Sequence, residues 1–153
     1  MTTRRASPSA VEKRYCVLCD SDIAVVQAGA LQLARETGFD RKGSWEFATA
    51  ASEAATNILK HATEGEVVLS AIGGCLQLQA LDRGTGIENV EAVLRDGYSE
   101  NRDLAEDETI IGRRGLGLGL GAIQRLTDEL SIGPRAGGGT ELVARKYKDG
   151  SLP

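Results

Sequence analysis

The sequence predicts an α+β domain, one sheet with helices packed on it, and three observations carry that reading. Segments with apolar residues at helical spacing interleave with segments that alternate apolar and polar. Gly73-Gly74 separates two alternating runs, a strong hairpin signal. A length of 153 residues suits a single core, and no internal repeat or second domain is visible.

Residues 1–10 are polar and aperiodic and are expected to form a flexible tail before one domain over residues 11–150. Residues 13–19 read as a first strand. Asp20, Ser21 and Asp22 offer caps for a helix whose Ile23, Val26, Ala30, Leu33 and Ala34 recur at helical spacing, and Gly38 ends it. A second helix is expected over residues 44–62, with Phe47, Ala51, Ala55, Ile58 and Leu59 on one stripe. Its alanines favour helix and permit close approach to a sheet or ligand. Residues 66–72 and 75–82 are the hairpin strands, and residues 90–95 a short helix. Residues 96–114 lose the pattern, with Gly97 and Gly112 as hinges, as a lid or irregular loop does. A helix over 119–130, a short strand over 130–133, a turn over 134–139 and a last strand over 140–147 complete the chain.

Net charge is −4 with acids and bases interspersed, which argues against nucleic acid, whose phosphates demand a concentrated basic surface. No apolar run approaches a membrane span and the N-terminus lacks an apolar signal core, so a soluble cytoplasmic protein is expected. Cys16-Val17-Leu18-Cys19 is formally C-x-x-C, but zinc needs a second pair or histidines, and the chain holds only His61. On a strand, Cys16 and Cys19 face opposite ways, and buried core thiols are the expectation for the cysteines.

Three motifs carry chemistry. Glu53 and Asn57, four apart on a helix, share one face. Asn57 offers a neutral oxygen suited to Mg²⁺, Glu53 could polarise a hydroxyl or water, and Lys60 could reach phosphate as a point charge. By spacing alone, a solvated helix face is the commoner meaning of such a set, and His61 reads as a helix-end residue. Asp82 ends a strand before Gly84 and Gly86, whose missing side chains let a flat base approach the backbone. A carboxylate there could accept the exocyclic N–H of adenine and reject guanine; the same pattern also makes a plain turn. The alternation Gly115, Leu116, Gly117, Leu118, Gly119, Leu120, Gly121 before a helix permits tight turns whose amides, with the helix dipole, bind anions. A structural glycine turn is the alternative. At Gly139-Thr140 the Thr140 hydroxyl could support Asp82 or a water on the base, though such a turn alone carries little information.

Rival phosphate motifs fail. No G-K-[ST] follows, which excludes a P-loop. Gly117 to Ala122 matches G-x-G-x-x-A, but too little chain remains for the βα units that should follow. A protein-kinase glycine loop lacks its downstream catalytic loop.

Taken in order, these residues resemble the GHKL (Bergerat-fold) ATPases. Glu53-x-x-x-Asn57 matches the N-box, Asp82-x-Gly84-x-Gly86 the first glycine box, Gly115 to Gly119 the second, and Gly139-Thr140 the last. The resemblance implies a two-layer α/β sandwich, a mixed, mostly antiparallel sheet with helices on one face and a mobile nucleotide lid at residues 96–114. It implies ATP and Mg²⁺ as cofactors, with Asn57 on the metal, Glu53 as base and Asp82 reading adenine. Within the group, Asp96-Gly97-Tyr98-Ser99 and residues 125–132 are similar to the RsbT-type switch kinases of bacterial partner-switching systems, with RsbW- and SpoIIAB-like anti-sigma factors as near cousins.

That likeness implies a serine/threonine protein kinase acting on a STAS-domain antagonist, with a PP2C-type phosphatase, another output protein or a sigma factor as further partner. A homodimer is compatible with it. Lys60, the glycine-loop amides and Arg113 or Arg114 at the lid's end would neutralise phosphate charge. The alternative is a switch or anti-sigma protein that sequesters partners and holds ATP structurally. A detached histidine-kinase domain fits less well, because no helix pair carries an acceptor histidine.

Overall fold

The computed structural model describes residues 10–62, 64–83 and 115–148, with residues 115–119 described in backbone only. The expected tail, the helix over 90–95, the lid at 96–114, Gly84, Gly86, Arg113 and Arg114 lie outside the described residues. In chain order the elements are β1 (Val11–Val17), α1 (Asp20–Glu36), α2 (Arg41–His61), β2 (Gly65–Ile72), β3 (Cys75–Asp82), α3 (Gly115–Leu126), β4 (Glu129–Pro134) and β5 (Thr140–Tyr147). The strands pair in the order β1-β2-β3-β5-β4. Every pairing among the described strands is antiparallel.

Local chemistry sets the helix ends. Asp22, in the first turn of α1, accepts the backbone N–H groups of Leu18 (2.8 Å) and Cys19 (3.1 Å). These bonds hold its carboxyl below the usual carboxylate range. At the far end the Thr37 hydroxyl donates to Leu33 O (2.7 Å), and Gly38 takes φ +98°, as a left-handed stop requires. Asp40 then caps α2 by accepting Gly43 N–H at 2.7 Å. Helix α2 therefore starts at Arg41, ahead of the expected residue 44, because the cap works through a polar turn that carries no apolar periodicity.

The core lies between one sheet face and the three described helices. Val17, Val67, Leu69, Leu76 and Leu78 from the strands meet Val26, Leu33, Phe47 and Ile123 from the helices. Ala48, Ala50, Ala51, Ala54 and Ala55 of α2 are buried as well, and their small side chains bring α2 close to its neighbours. Lys146 on β5 ties the layers together, donating from Nζ to Leu126 O (3.0 Å) while pairing with Glu46 of α2 (3.0 Å). A lysine at the last carbonyls of α3 is also favoured by the helix dipole.

Two expectations are corrected. The cysteines are not core thiols: Cys16 and Cys19 are exposed and Cys75 is half-buried. Strand β1 ends at Val17, so Cys19 becomes the N-cap of α1, and alternation turns Val17 and Tyr15 inward and Cys16 outward. The third helix begins at Gly115, not at 119, so the glycine run forms its opening turns instead of a loop before it. It ends at Leu126, where the Thr127 hydroxyl donates to Ile123 O (2.6 Å) and Asp128 N–H turns to Arg145 O (2.8 Å).

Gly29 marks a close contact between helix and sheet, since a Cβ there would overlap the Tyr15 hydroxyl and lie 2.6 Å from its ring. Gly29→Ala gains about 1 kcal/mol of helix propensity but meets an overpacking cost of about 1–3 kcal/mol. Urea denaturation should show net destabilisation, whereas in a Tyr15→Ala background, itself less stable, the same substitution should cause no further loss; a Gly29→Ala chain more stable than wild type would refute this packing.

Candidate functional site

The last turns of α2 run over the ends of β3, β4 and β5, and a cavity forms where they meet. It is lined by Ala54, Asn57, Ile58 and His61 of α2, Ala80 and Asp82 of β3, Leu120 of α3, Ile132 of β4, and Thr140 and Leu142 of β5. The walls are largely apolar, and four polar residues, Asn57, His61, Asp82 and Thr140, share in the lining. That combination of an apolar slot with few polar groups is what binds a flat heterocycle. Its volume of about 30 Å³ has room for a water or two and not for a whole nucleotide.

Asp82 is held on several sides. Its Oδ1 accepts Thr140 N–H at 3.3 Å, and its carbonyl accepts Arg135 Nη1–H at 3.2 Å. Gly137, Gly138 and Gly139 all have positive φ, so the turn between β4 and β5 needs glycine there. At Gly139 a Cβ would overlap the carbonyl oxygen of Asp82. Thr140 meets Asp82 through its backbone N–H, a contact different from the hydroxyl one expected, and Thr140 itself is buried.

Asn57 is half-buried, and its amide nitrogen has no hydrogen-bond partner among the described residues. An unmatched buried donor costs about 1–3 kcal/mol, which a ligand acceptor would offset. Glu53 stands one turn earlier on α2, about 6 Å along the axis, and is half-buried outside the cavity lining. Lys60, one turn after Asn57, is exposed. The cavity thus gathers Asn57, Asp82 and Thr140, with Glu53 and Lys60 flanking it on the same helix. Backbone at Gly115, Leu116, Gly117, Leu118 and Gly119 forms the start of α3. The first four N–H groups of any helix lack intrahelical acceptors and suit an anion.

Sequence reading missed His61, Ile132 and Leu142 as cavity walls and Arg135 as an anchor for Asp82. His61 and Asn57 are four apart on one helix, so that signal was present. Arg135 reaches Asp82 across 53 positions of sequence, and nothing local announces it.

Comparison with known proteins agrees with this geometry. The family described as Histidine kinase-like ATPase domain matches residues 19–146. The chain is 31% identical over 135 residues to the serine/threonine-protein kinase RsbT of Bacillus subtilis, covering 86% of this chain and 92% of that one. It is 28% identical over 107 residues to the anti-sigma F factor of Thermoanaerobacter sp. (strain X514), covering 67% and 68%. A third relative, the anti-sigma F factor of Clostridium acetobutylicum, is 28% identical over 102 residues, covering 63% and 65%. The chain belongs to the histidine kinase-like ATPase domain family, the GHKL group that its ordered motifs resemble.

Proposed function

We propose that this chain is an ATP-dependent serine/threonine protein kinase of a bacterial partner-switching system, with a STAS-domain antagonist as its phosphate acceptor. The observation that carries this reading is the convergence of Asn57, Asp82 and Thr140 on one apolar cavity, with Glu53 one helical turn away. The similarity to a named serine/threonine-protein kinase over most of both chains supports it.

In this reading adenine lies against Ala54, Ile58, Ala80 and Leu142, and Asp82 accepts its exocyclic N–H. A carboxylate has capacity for roughly four hydrogen bonds, so Thr140 N–H orients Asp82 without exhausting it. The phosphates run toward the start of α3, where the amides of Gly115 to Leu118 meet negative charge, with Lys60 and Arg113 or Arg114 as further cations. Asn57 Oδ1 is a neutral oxygen of the kind Mg²⁺ takes, alongside water and phosphate ligands, and the buried Nδ2–H of the same side chain, with no partner among the described residues, would donate to a phosphate oxygen. Bound there, Mg²⁺ would neutralise charge on the transferring phosphoryl group. Glu53 accepts the proton of the acceptor hydroxyl as the oxygen attacks the γ-phosphorus and ADP leaves.

The alternative is an anti-sigma or switch protein that works by ATP-dependent sequestration, and the anti-sigma F factors among the relatives favour it. A PP2C-type phosphatase or a sigma factor is the output partner in such systems. Glu53 divides the two readings, because sequestration needs no base.

Transfer of labelled γ-phosphate from ATP to a STAS protein should occur with the wild-type chain. With Glu53→Ala it should fall by about 10²–10⁴-fold while ATP binding persists. Tight ATP binding with no transfer to any cognate STAS partner would replace the kinase reading by sequestration.

His61 is exposed at the end of α2, yet partial desolvation there holds it below its usual value of 6.5, Lys60 adds to this, and the Asp82 charge opposes it. The folded chain thus resists a proton that the unfolded chain accepts. Stability is fully present above pH 6.5 and declines as pH falls through the lowered folded value. His61→Gln should flatten the dependence of Tm on pH below 6.5, and an unchanged slope would show that another group sets it.

A further inference from the structure

Gly65 opens β2, directly opposite Asp82 in the β2–β3 register and beside Val17 of β1. Residues 65, 67, 69 and 71 point toward the helices, as the burial of Val67, Leu69 and Ala71 shows. A Cβ at 65 would therefore project under α2. It would lie 2.5 Å from the carbonyl oxygen of Leu81, 2.8 Å from Cγ2 of Ile58 and 3.2 Å from Cα of Asp82. Real Cβ atoms essentially never approach within 3.0 Å of a neighbour, so something has to move. The nearest atom is main chain and cannot rotate away. Unlike Gly139, which has φ +93°, Gly65 has no left-handed backbone, so only space demands glycine here.

The two elements that would be pushed apart carry the polar groups of the cavity. Leu81 and Asp82 end β3, and Ile58 is the residue after Asn57 on α2; Asn57, Ile58 and Asp82 line the same cavity.

We infer that Gly65 is a positioning residue for nucleotide recognition: the absent Cβ lets α2 settle onto the end of β3, fixing Asn57 and Asp82 at the separation that one bound nucleotide requires. This rests on the reading of the cavity as the ATP site. Gly65 touches no nucleotide itself. It acts through Asp82, the residue that distinguishes the amino group of adenine from a 6-oxo group, and through Asn57. Displacements near 1 Å at such groups are costly, about 10²-fold in rate.

The test compares ATP with ITP, which carries oxygen in place of the exocyclic amine. Titration calorimetry on the full chain should give wild type a clear preference for ATP. In Gly65→Ala that preference should fall by about 10- to 100-fold, as loss of a hydrogen bond to a charged group implies. Gly29→Ala, whose clash is with the Tyr15 side chain away from the cavity, should keep the wild-type ratio and serves as the control for general destabilisation. The pair Gly65→Ala with Ile58→Ala frees the helix side but leaves the Leu81 carbonyl contact, so it too should lose the ratio. A wild-type ratio in either folded Gly65→Ala chain, single or paired, overturns the inference. So does failure of both to fold, since Gly65 would then be a folding residue and nothing more specific. A wild-type chain that binds neither nucleotide defeats the ATP reading itself, whatever residue 65 does.

Discussion

The structure depends on how closely α2 can lie on its neighbours. Its buried stripe consists mostly of alanine, with Phe47 and Ile58 as the large members. Small residues shorten the distance between a helix and what it packs on, and they lose little entropy in helical form. Helix α2 thereby touches α1 on one side, α3 on the other and the sheet beneath. Three layers of contact fix its rotation about its own axis. Glu53, Asn57 and Lys60, which belong to the same rigid body, inherit that fixed rotation.

Elements defined by neighbours in sequence were legible. The hairpin of β2 and β3 follows from two alternating runs around Gly73-Gly74, and Gly73 does take positive φ, 60°. Strand β5 matches its expected bounds because Leu142 and Ala144 alternate inward with a turn of three glycines before them. Elements set by competition were less legible. The alternation Leu116, Leu118, Leu120 has the period of a strand, so the start of α3 could not be placed from pattern alone. Cys19 sits where a strand period would continue, yet Asp22 captures the two preceding amides and starts a helix instead.

The candidate site divides in the same way. Asn57, Asp82 and Thr140 could be named from residue type and order, because each belongs to a short motif. What holds Asp82 in place could not. Arg135 and Gly65 reach it only through strand register and a turn, and those contacts form when distant segments meet. Residue chemistry is written locally, whereas the separations between functional groups are set by long-range packing.

The face of the sheet turned away from the helices obeys different rules. Arg14 pairs with Glu12 and Glu66, and Arg145 with Glu129, all at exposed or half-buried positions. Such pairs contribute about 0–1 kcal/mol each, so this face adds little to stability. Val68 is the informative residue there. It is almost fully buried yet lies outside the helix-side core, flanked in register by Arg14 and Gln79. The two faces therefore separate two tasks. The helix side holds the core and the polar groups of the cavity together, so the cavity cannot change without disturbing packing. The opposite side mixes its ion pairs with Val68, Leu81 and Val143, and it is at the ion pairs that substitutions can accumulate at little cost to the cavity.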